Sequence, residues 1–216
     1  MPLARPRREQ SQAEEIANSI SHGIGLAAAL VGTPFLIAQA TRHGNVGYLI
    51  GTSLFCTTVI FLYLTSTIYH ALPTGTAKRA FQVLEHSAIF LLIAGTYTPF
   101  TLGVLHGVWG WILLTIIWSL AAAGVMLKVF YRTPLPILST GLYLLMGWMV
   151  VIAADTLVAR VPTPGLLWLI AGGLSYTVGV VFFAIDSRLR YAHLIWHLFV
   201  LAGTTCHYFA VLWYGA

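Results

Sequence analysis

The sequence predicts an all-α membrane protein, a seven-transmembrane helical bundle with its N-terminus cytoplasmic and its C-terminus outside. Three observations predict it. Of 216 residues, 58% are hydrophobic and only 8% charged, with a mean hydropathy of +0.84, a balance foreign to soluble domains of this size. The chain divides into seven apolar stretches, each approaching or exceeding the ~20 residues a helix needs to cross hydrocarbon. Finally, the basic residues alternate between the two sides of those stretches.

Residues 1–10 read as disordered, with Arg5, Arg7 and Arg8 as a basic cluster. They belong to a basic, then polar, cytoplasmic segment of residues 1–15, and residues 16–216 form the transmembrane domain. The basic start is not followed directly by an apolar stretch, as a signal peptide would require, so an uncleaved start is expected. Ser11 and Glu14 fit a capping box that would open a helix. The spans are expected at Ala17–Ala40, with Pro34 as a kink, then Val46–Leu72, Ala80–Leu102 and Val108–Val129. Leu135–Ala154, Gly165–Ile185 and Ala192–Trp213 complete them. Ala171, Ser175 and Gly179 make a small-residue row suited to close helix packing. The connections are too short to house a soluble domain, so a site must lie within the bundle.

The formal net charge is +5. In a chain this apolar the basic residues read as topology signals and anionic-lipid contacts rather than as a nucleic-acid surface. Nine of them, Arg5, Arg7, Arg8, Lys78, Arg79, Lys128, Arg132, Arg188 and Arg190, fall on one side, and Arg42 and Arg160 fall on the other. The positive-inside rule puts the side of nine in the cytoplasm. The expected location is the inner (plasma) membrane, crossed several times. Cys56 and Cys206 lie inside apolar stretches and read as packing residues.

The last span carries His193 and His197, four residues apart and so on one helical face. Two imidazoles so placed can reach one metal ion. Ionisable groups inside a spanning helix are costly and face the bundle interior or a wet cavity. With the orientation above, His70 lies near the inner end of the second span, with Ser66 one turn deeper on the same face. Glu85 lies within two turns of the start of the third span, and His193 and His197 lie in the first two turns of the seventh. Three helices therefore bring three imidazoles, a carboxylate and a hydroxyl to one layer. Zinc favours imidazole nitrogen, and three protein ligands with an open position is its reactive pattern. Glu85 could hold or deprotonate a water there, and Ser66 could hydrogen-bond that water, Glu85 or a substrate carbonyl. Interhelical hydrogen bonding and a proton relay remain as alternatives.

The other histidines separate by position. His207 lies about 15 Å along the helix from His197, at 1.5 Å per residue, and reads as a hydrogen-bonded interior residue. His22 opens the first span, where an ordinary interior histidine and a partner behind the ligands are both open readings. His86 points about 100° away from Glu85 around the helix and is not expected to be a ligand. His43 and His106 are expected in outer loops. Tyr97, Thr98 and Pro99 are expected at a proline kink.

Ser66-Thr-Ile-Tyr-His70 resembles the SxxxH motif of the hemolysin III and progestin/adipoQ receptor family. Glu85 to Phe100 looks like that family's third helix, and His193-Leu-Ile-Trp-His197 resembles its HxxxH motif. The stretch Ile20 to Gly25 is similar too, and the resemblance runs from about residue 14 to the end, nearest the bacterial hemolysin III branch. It implies a zinc ion held by His70, His193 and His197, with Ser66 and Glu85 beside the bound water. The receptor branch carries Asp where this chain has Glu85. The family resembles alkaline ceramidases in these motifs, which implies hydrolysis of a lipid amide, with membrane lipid as substrate or ligand. A lipid-sensing receptor with structural zinc and a cytolytic, membrane-perturbing protein are the other readings; no amphipathic pore-forming segment supports lysis.

Reporter fusions at the two ends check the topology. A cytoplasmic reporter should be active at the N-terminus and silent at the C-terminus. Activity at both ends would mean an even number of spans and would dissolve the common depth of the site.

Overall fold

A computed structural model describes residues 8–105, 107–130 and 136–216. Arg5, Arg7, His106, Arg132 and the expected start of the fifth span at Leu135 lie outside them. Among the described residues there is no strand, and seven spans are long and apolar enough to cross a membrane. The chain is a multi-pass helical membrane protein.

Helix α1 runs from Gln12 to His43. Its start is the expected capping box: Ser11 Oγ accepts from Glu14 N–H, and the Glu14 carboxylate accepts from Ser11 N–H. Gly44 ends it in the left-handed conformation, φ 69°, which glycine adopts without steric cost. His43 therefore closes the last turn of α1 rather than lying in a loop, and its ring meets Tyr48 edge-on. Helix α2 (Val46–Ala71) is capped by Asn45 accepting from Tyr48 N–H. Helix α3 (Thr76–Gly103) passes through Pro99 without ending. Helix α4 is Val108–Phe130.

The fifth span is broken. It consists of α5 (Pro136–Trp148), a 3-10 turn (Met149–Ala153) and α6 (Ala154–Arg160), so it ends at Arg160 rather than at Ala154. Hydrocarbon offers no partner to backbone groups freed by such a break. Tyr97 supplies one. Its hydroxyl donates to the Met146 and Gly147 carbonyls and accepts from Val150 N–H. This role, rather than a kink at Pro99, is what Tyr97 does.

Helices α7 (Thr163–Ala184) and α8 (Ala192–Tyr214) form a close pair. Two members of the expected row on α7, Ser175 and Gly179, face α8, whereas Ala171 is exposed. Ser175 Oγ donates to the Phe199 carbonyl, and a Cβ on Gly179 would lie 2.8 Å from Trp196 and Phe199. On the other flank, a Cβ on Gly25 of α1 would lie 2.6 Å from Leu201 of α8 and 3.1 Å from Tyr63 of α2. Small residues thus let α1, α2 and α8 approach where lipid gives no hydrophobic drive to associate. The lipid-facing surface carries side chains such as Val31, Phe35, Trp111 and Val181, whereas Asn18, Ser66, His70, Glu85 and His197 are buried.

Tyr97→Phe should lower unfolding stability by about 1–2 kcal/mol, since it strips the break of several hydrogen bonds in an apolar setting. Thermal or denaturant unfolding in detergent reads this. A melting point equal to the parent's would show that the break satisfies itself.

Candidate metal centre

The site lies at the end of the bundle where α1, α3 and α8 begin and α2 finishes. His70, Glu85, His193 and His197 are all buried there, and one donor atom from each lies within 4.8 Å of every other. His70 comes from the last turn of α2, Glu85 from the third turn of α3, and the two α8 histidines from the first two turns. The structure therefore brings together every expected site residue, Ser66 included.

Orientation of the rings decides what they can do. His70 Nδ1 is 2.7 Å from Glu15 Oε2. His193 Nδ1 is 3.1 Å from Asp186 Oδ2. His197 Nδ1 is 3.0 Å from Ser21 Oγ and 3.3 Å from the Asn18 carbonyl. Ser21 Oγ already donates its own proton to that carbonyl, so His197 Nδ1 must be the donor to both. Each Nδ1 thus carries the proton and gives it to an acceptor outside the cluster, which leaves each Nε2 as a lone-pair donor. His70 Nε2 and His193 Nε2 are buried and without a hydrogen-bond partner, as is Glu85 Oε2. Unpartnered buried atoms of this kind cost about 1–3 kcal/mol each. A ring held through one nitrogen by a carboxylate or carbonyl, with the other nitrogen free, is how metal-binding histidines are oriented. The donor set fits a divalent metal with a preference for nitrogen.

Glu85 is held asymmetrically. Ser66 Oγ donates to Glu85 Oε1 at 2.6 Å. The hydroxyl has one proton, so its 2.7 Å contact with His22 Nδ1 is an N–H donated by His22. His22 stacks on His197, with ring centroids 3.5 Å apart and planes 4° off parallel. Of the two readings open for His22, the supporting one fits these contacts with Ser66 and His197. His70 Nε2 lies 3.5 Å from Glu85 Oε1.

A cavity of about 20 Å³ adjoins the cluster, lined by His22, Glu85, His86, His193 and His197, enough for about one water. Leu62, Ile89, Trp196 and Val200 line both it and a second, apolar cavity of about 330 Å³. The larger one runs past the break in span five to His207 and Tyr176. His207 is interior but not hydrogen-bonded as expected: Nδ1 has no partner, and the ring stacks on Tyr176. The break lies along the wall of the larger cavity, through Gly147, Trp148, Val150 and Val151, and irregular backbone at membrane depth is tolerated where it lines a cavity.

Sequence reasoning missed Glu15, Asn18, Ser21 and Asp186. Only their spacing held a signal: Glu14 or Glu15, Asn18, Ser21 or His22, and Gly25 recur at helical period on α1 as a polar stripe in an apolar span. It also read Arg8 as part of a disordered cluster. Arg8 instead makes a two-pronged ion pair with Glu14, at 2.6 and 2.8 Å, and the carboxylate raises the guanidinium pKa above its ordinary value.

Residues 10–208 match the family described as Haemolysin-III related. The chain is 42% identical to the "Hemolysin-3 homolog" of Bacillus subtilis (strain 168) over 93% of its length and 94% of that protein's. It is 41% identical to "Hemolysin-3" of Bacillus cereus over 96% of its length and 94% of that protein's. The "Monocyte to macrophage differentiation factor" of Homo sapiens is 30% identical over 92% of this chain and 83% of its own. No solved structure matches the chain significantly. A match running through all seven spans, with bacterial relatives aligned almost end to end, places the chain in the haemolysin-III related family, within the progestin/adipoQ receptor superfamily.

Proposed function

We propose that the chain is a zinc-dependent hydrolase of long-chain lipid amides, ceramide-like, working at the cytoplasmic face of the inner membrane. His70, His193 and His197 hold the metal through Nε2, and Glu85 and Ser66 carry the proton chemistry. The observation that carries this reading is the ring arrangement: every Nδ1 is spent outward, while unpartnered donor atoms gather beside a free carboxylate oxygen. A zinc ion there supplies Lewis acidity toward water and a carbonyl.

The chain's own residues do the rest. Ser66 occupies Glu85 Oε1 and so keeps the carboxylate from rotating, which leaves Oε2 to take the proton of the attacking water. The water oxygen bonds to the carbonyl carbon, the C–N bond breaks, and Glu85 returns the proton to the leaving amine. The 330 Å³ cavity has the size of a small ligand pocket and almost entirely apolar walls. It takes the acyl chain, with the carbonyl at the cluster.

A second reading, a lipid-sensing receptor with structural metal, draws on the four donors within mutual reach, which suit a closed tetrahedral site. A lytic reading rests on the relatives' printed names alone.

Purified protein should contain about one zinc per chain. His70→Ala, His193→Ala and His197→Ala should each lose most of it, and His207→Ala should retain it; elemental analysis reads both. Three single variants that bind zinc like the parent would remove these residues from the site.

Glu85→Gln, compared with the parent at matched zinc content in liposomes, should cut amide hydrolysis ~10²–10⁴-fold, the usual worth of a general base. Ser66→Ala should cost less. Equal turnover in Glu85→Gln and parent excludes Glu85 as the base. A zinc-loaded parent inert across a broad lipid panel favours the receptor reading, and leakage without cleavage favours the lytic one.

A further inference from the structure

Asp186, which orients His193, does not sit on a helix. It lies in the connection between α7 and α8, which must be held if its carboxylate is to hold a ring. The connection is irregular: Tyr191, just before α8, has φ 58°, the one positive φ at a non-glycine residue among the described residues. A bulky residue there costs on the order of 1–3 kcal/mol and persists only where its surroundings impose it.

Those surroundings come from the other end of the chain. Glu14, 2% exposed, accepts Tyr191 N–H through Oε1 at 2.8 Å. The same carboxylate takes both prongs of Arg8. Arg8 Nη2 also donates to the carbonyls of Asp186 and Leu189, at 3.3 and 3.2 Å. One ion pair thus grips the connection at Asp186, Leu189 and Tyr191, and His193 follows two residues on. The geometry is bidentate and partly buried, the kind that orients rather than merely attracts.

We infer that the Arg8–Glu14 pair is a positioning element of the metal centre: by clamping residues 186–191 it holds Asp186 on His193 and so slows metal release. The inference rests on the metal reading above. Arg8 and Glu14 touch neither the metal-facing nitrogens nor the cavities; Arg8 reaches the site through the connection, and Glu14 also caps the start of α1.

The test uses the full chain in lipid nanodiscs, loaded with zinc, with release timed by a chromogenic chelator. Arg8→Ala, Glu14→Gln and Asp186→Asn should each speed release about 10- to 100-fold, the usual effect of losing a partner behind a ligand. The Arg8→Ala/Asp186→Asn double variant should release no faster than Asp186→Asn. Arg8→Lys should recover part of the loss, since an ammonium cannot make both prongs; it also serves if Arg8→Ala does not fold. Exposed Arg188→Ala should match the parent. With cobalt in place of zinc, the visible bands of Arg8→Ala should shift toward those of Asp186→Asn. Lowered melting with unchanged release and spectrum would overturn the inference, as would a double variant whose effects multiply. A parent that binds no zinc would overturn the metal reading and this inference with it; a zinc-bound parent with indifferent variants would overturn this inference alone.

Discussion

Everything in this bundle depends on one constraint: a polar atom buried among lipid-facing helices must find a partner. Four ionisable side chains meet within 4.8 Å inside the bundle. Their outward atoms are met by Glu15, Asp186, Asn18, Ser21 and Ser66. Of their inward atoms, His70 Nε2, His193 Nε2 and Glu85 Oε2 are not met by the protein. The cost of that exposure, several kcal/mol at the usual scale for unsatisfied buried groups, is borne in the folded state by contacts elsewhere. A metal ion removes it, so binding and the stability of this end of the bundle are linked.

Helix α1 carries most of the outward partners. Its buried face reads Glu14, Asn18, Ser21, His22, Gly25. Glu15 reaches α2, Asn18 and Ser21 reach α8, and His22 reaches α3 through Ser66. Gly25, one turn on, lets α1 press against α2 and α8 closely enough for the side chains above it to make those bonds. A larger residue there would push α1 away and lengthen several contacts together. The candidate donors come from α2, α3 and α8, but three of the groups that orient the histidine rings, Glu15, Asn18 and Ser21, come from α1.

The spans and the meeting of His70, Glu85, His193 and His197 were legible in the sequence because both rest on local periodicity. Apolar length marks a span, four-residue spacing puts His193 with His197, and alternating direction brings the C-terminal end of α2 to the starts of α3 and α8. The outward partners were not legible, because Asn18 and Ser21 meet His197 across almost the whole chain and nothing local marks the pairing. Asp186 looked like an ordinary loop acid. Arg8 looked like a topology charge alone. The break in span five was hidden because apolar composition continues through Met149–Ala153; what allows it is a hydroxyl on another helix. His207 was expected to be hydrogen-bonded because a buried imidazole ordinarily is. It stacks on Tyr176 at the wall of a cavity instead, where a bound molecule can complete it.

The division of labour within Glu85 bears on how the site works. A carboxylate free at both oxygens can chelate a metal, and one bound at both can do nothing further. Here the His22–Ser66 chain takes Oε1 and leaves Oε2. Because Ser66 has one proton, and His22 supplies the bond it accepts, the chain has a direction: it delivers donors toward Glu85 and offers it no acceptor. That stabilises the ionised carboxylate and leaves Oε2 as the place where a proton can be received. The free oxygen then faces a space of about one water, with the apolar cavity on the far side of Leu62, Ile89, Trp196 and Val200. A proton acceptor, room for one water and an apolar chamber, in that order away from the membrane face where α1 begins, form an arrangement that purely structural ligation does not call for.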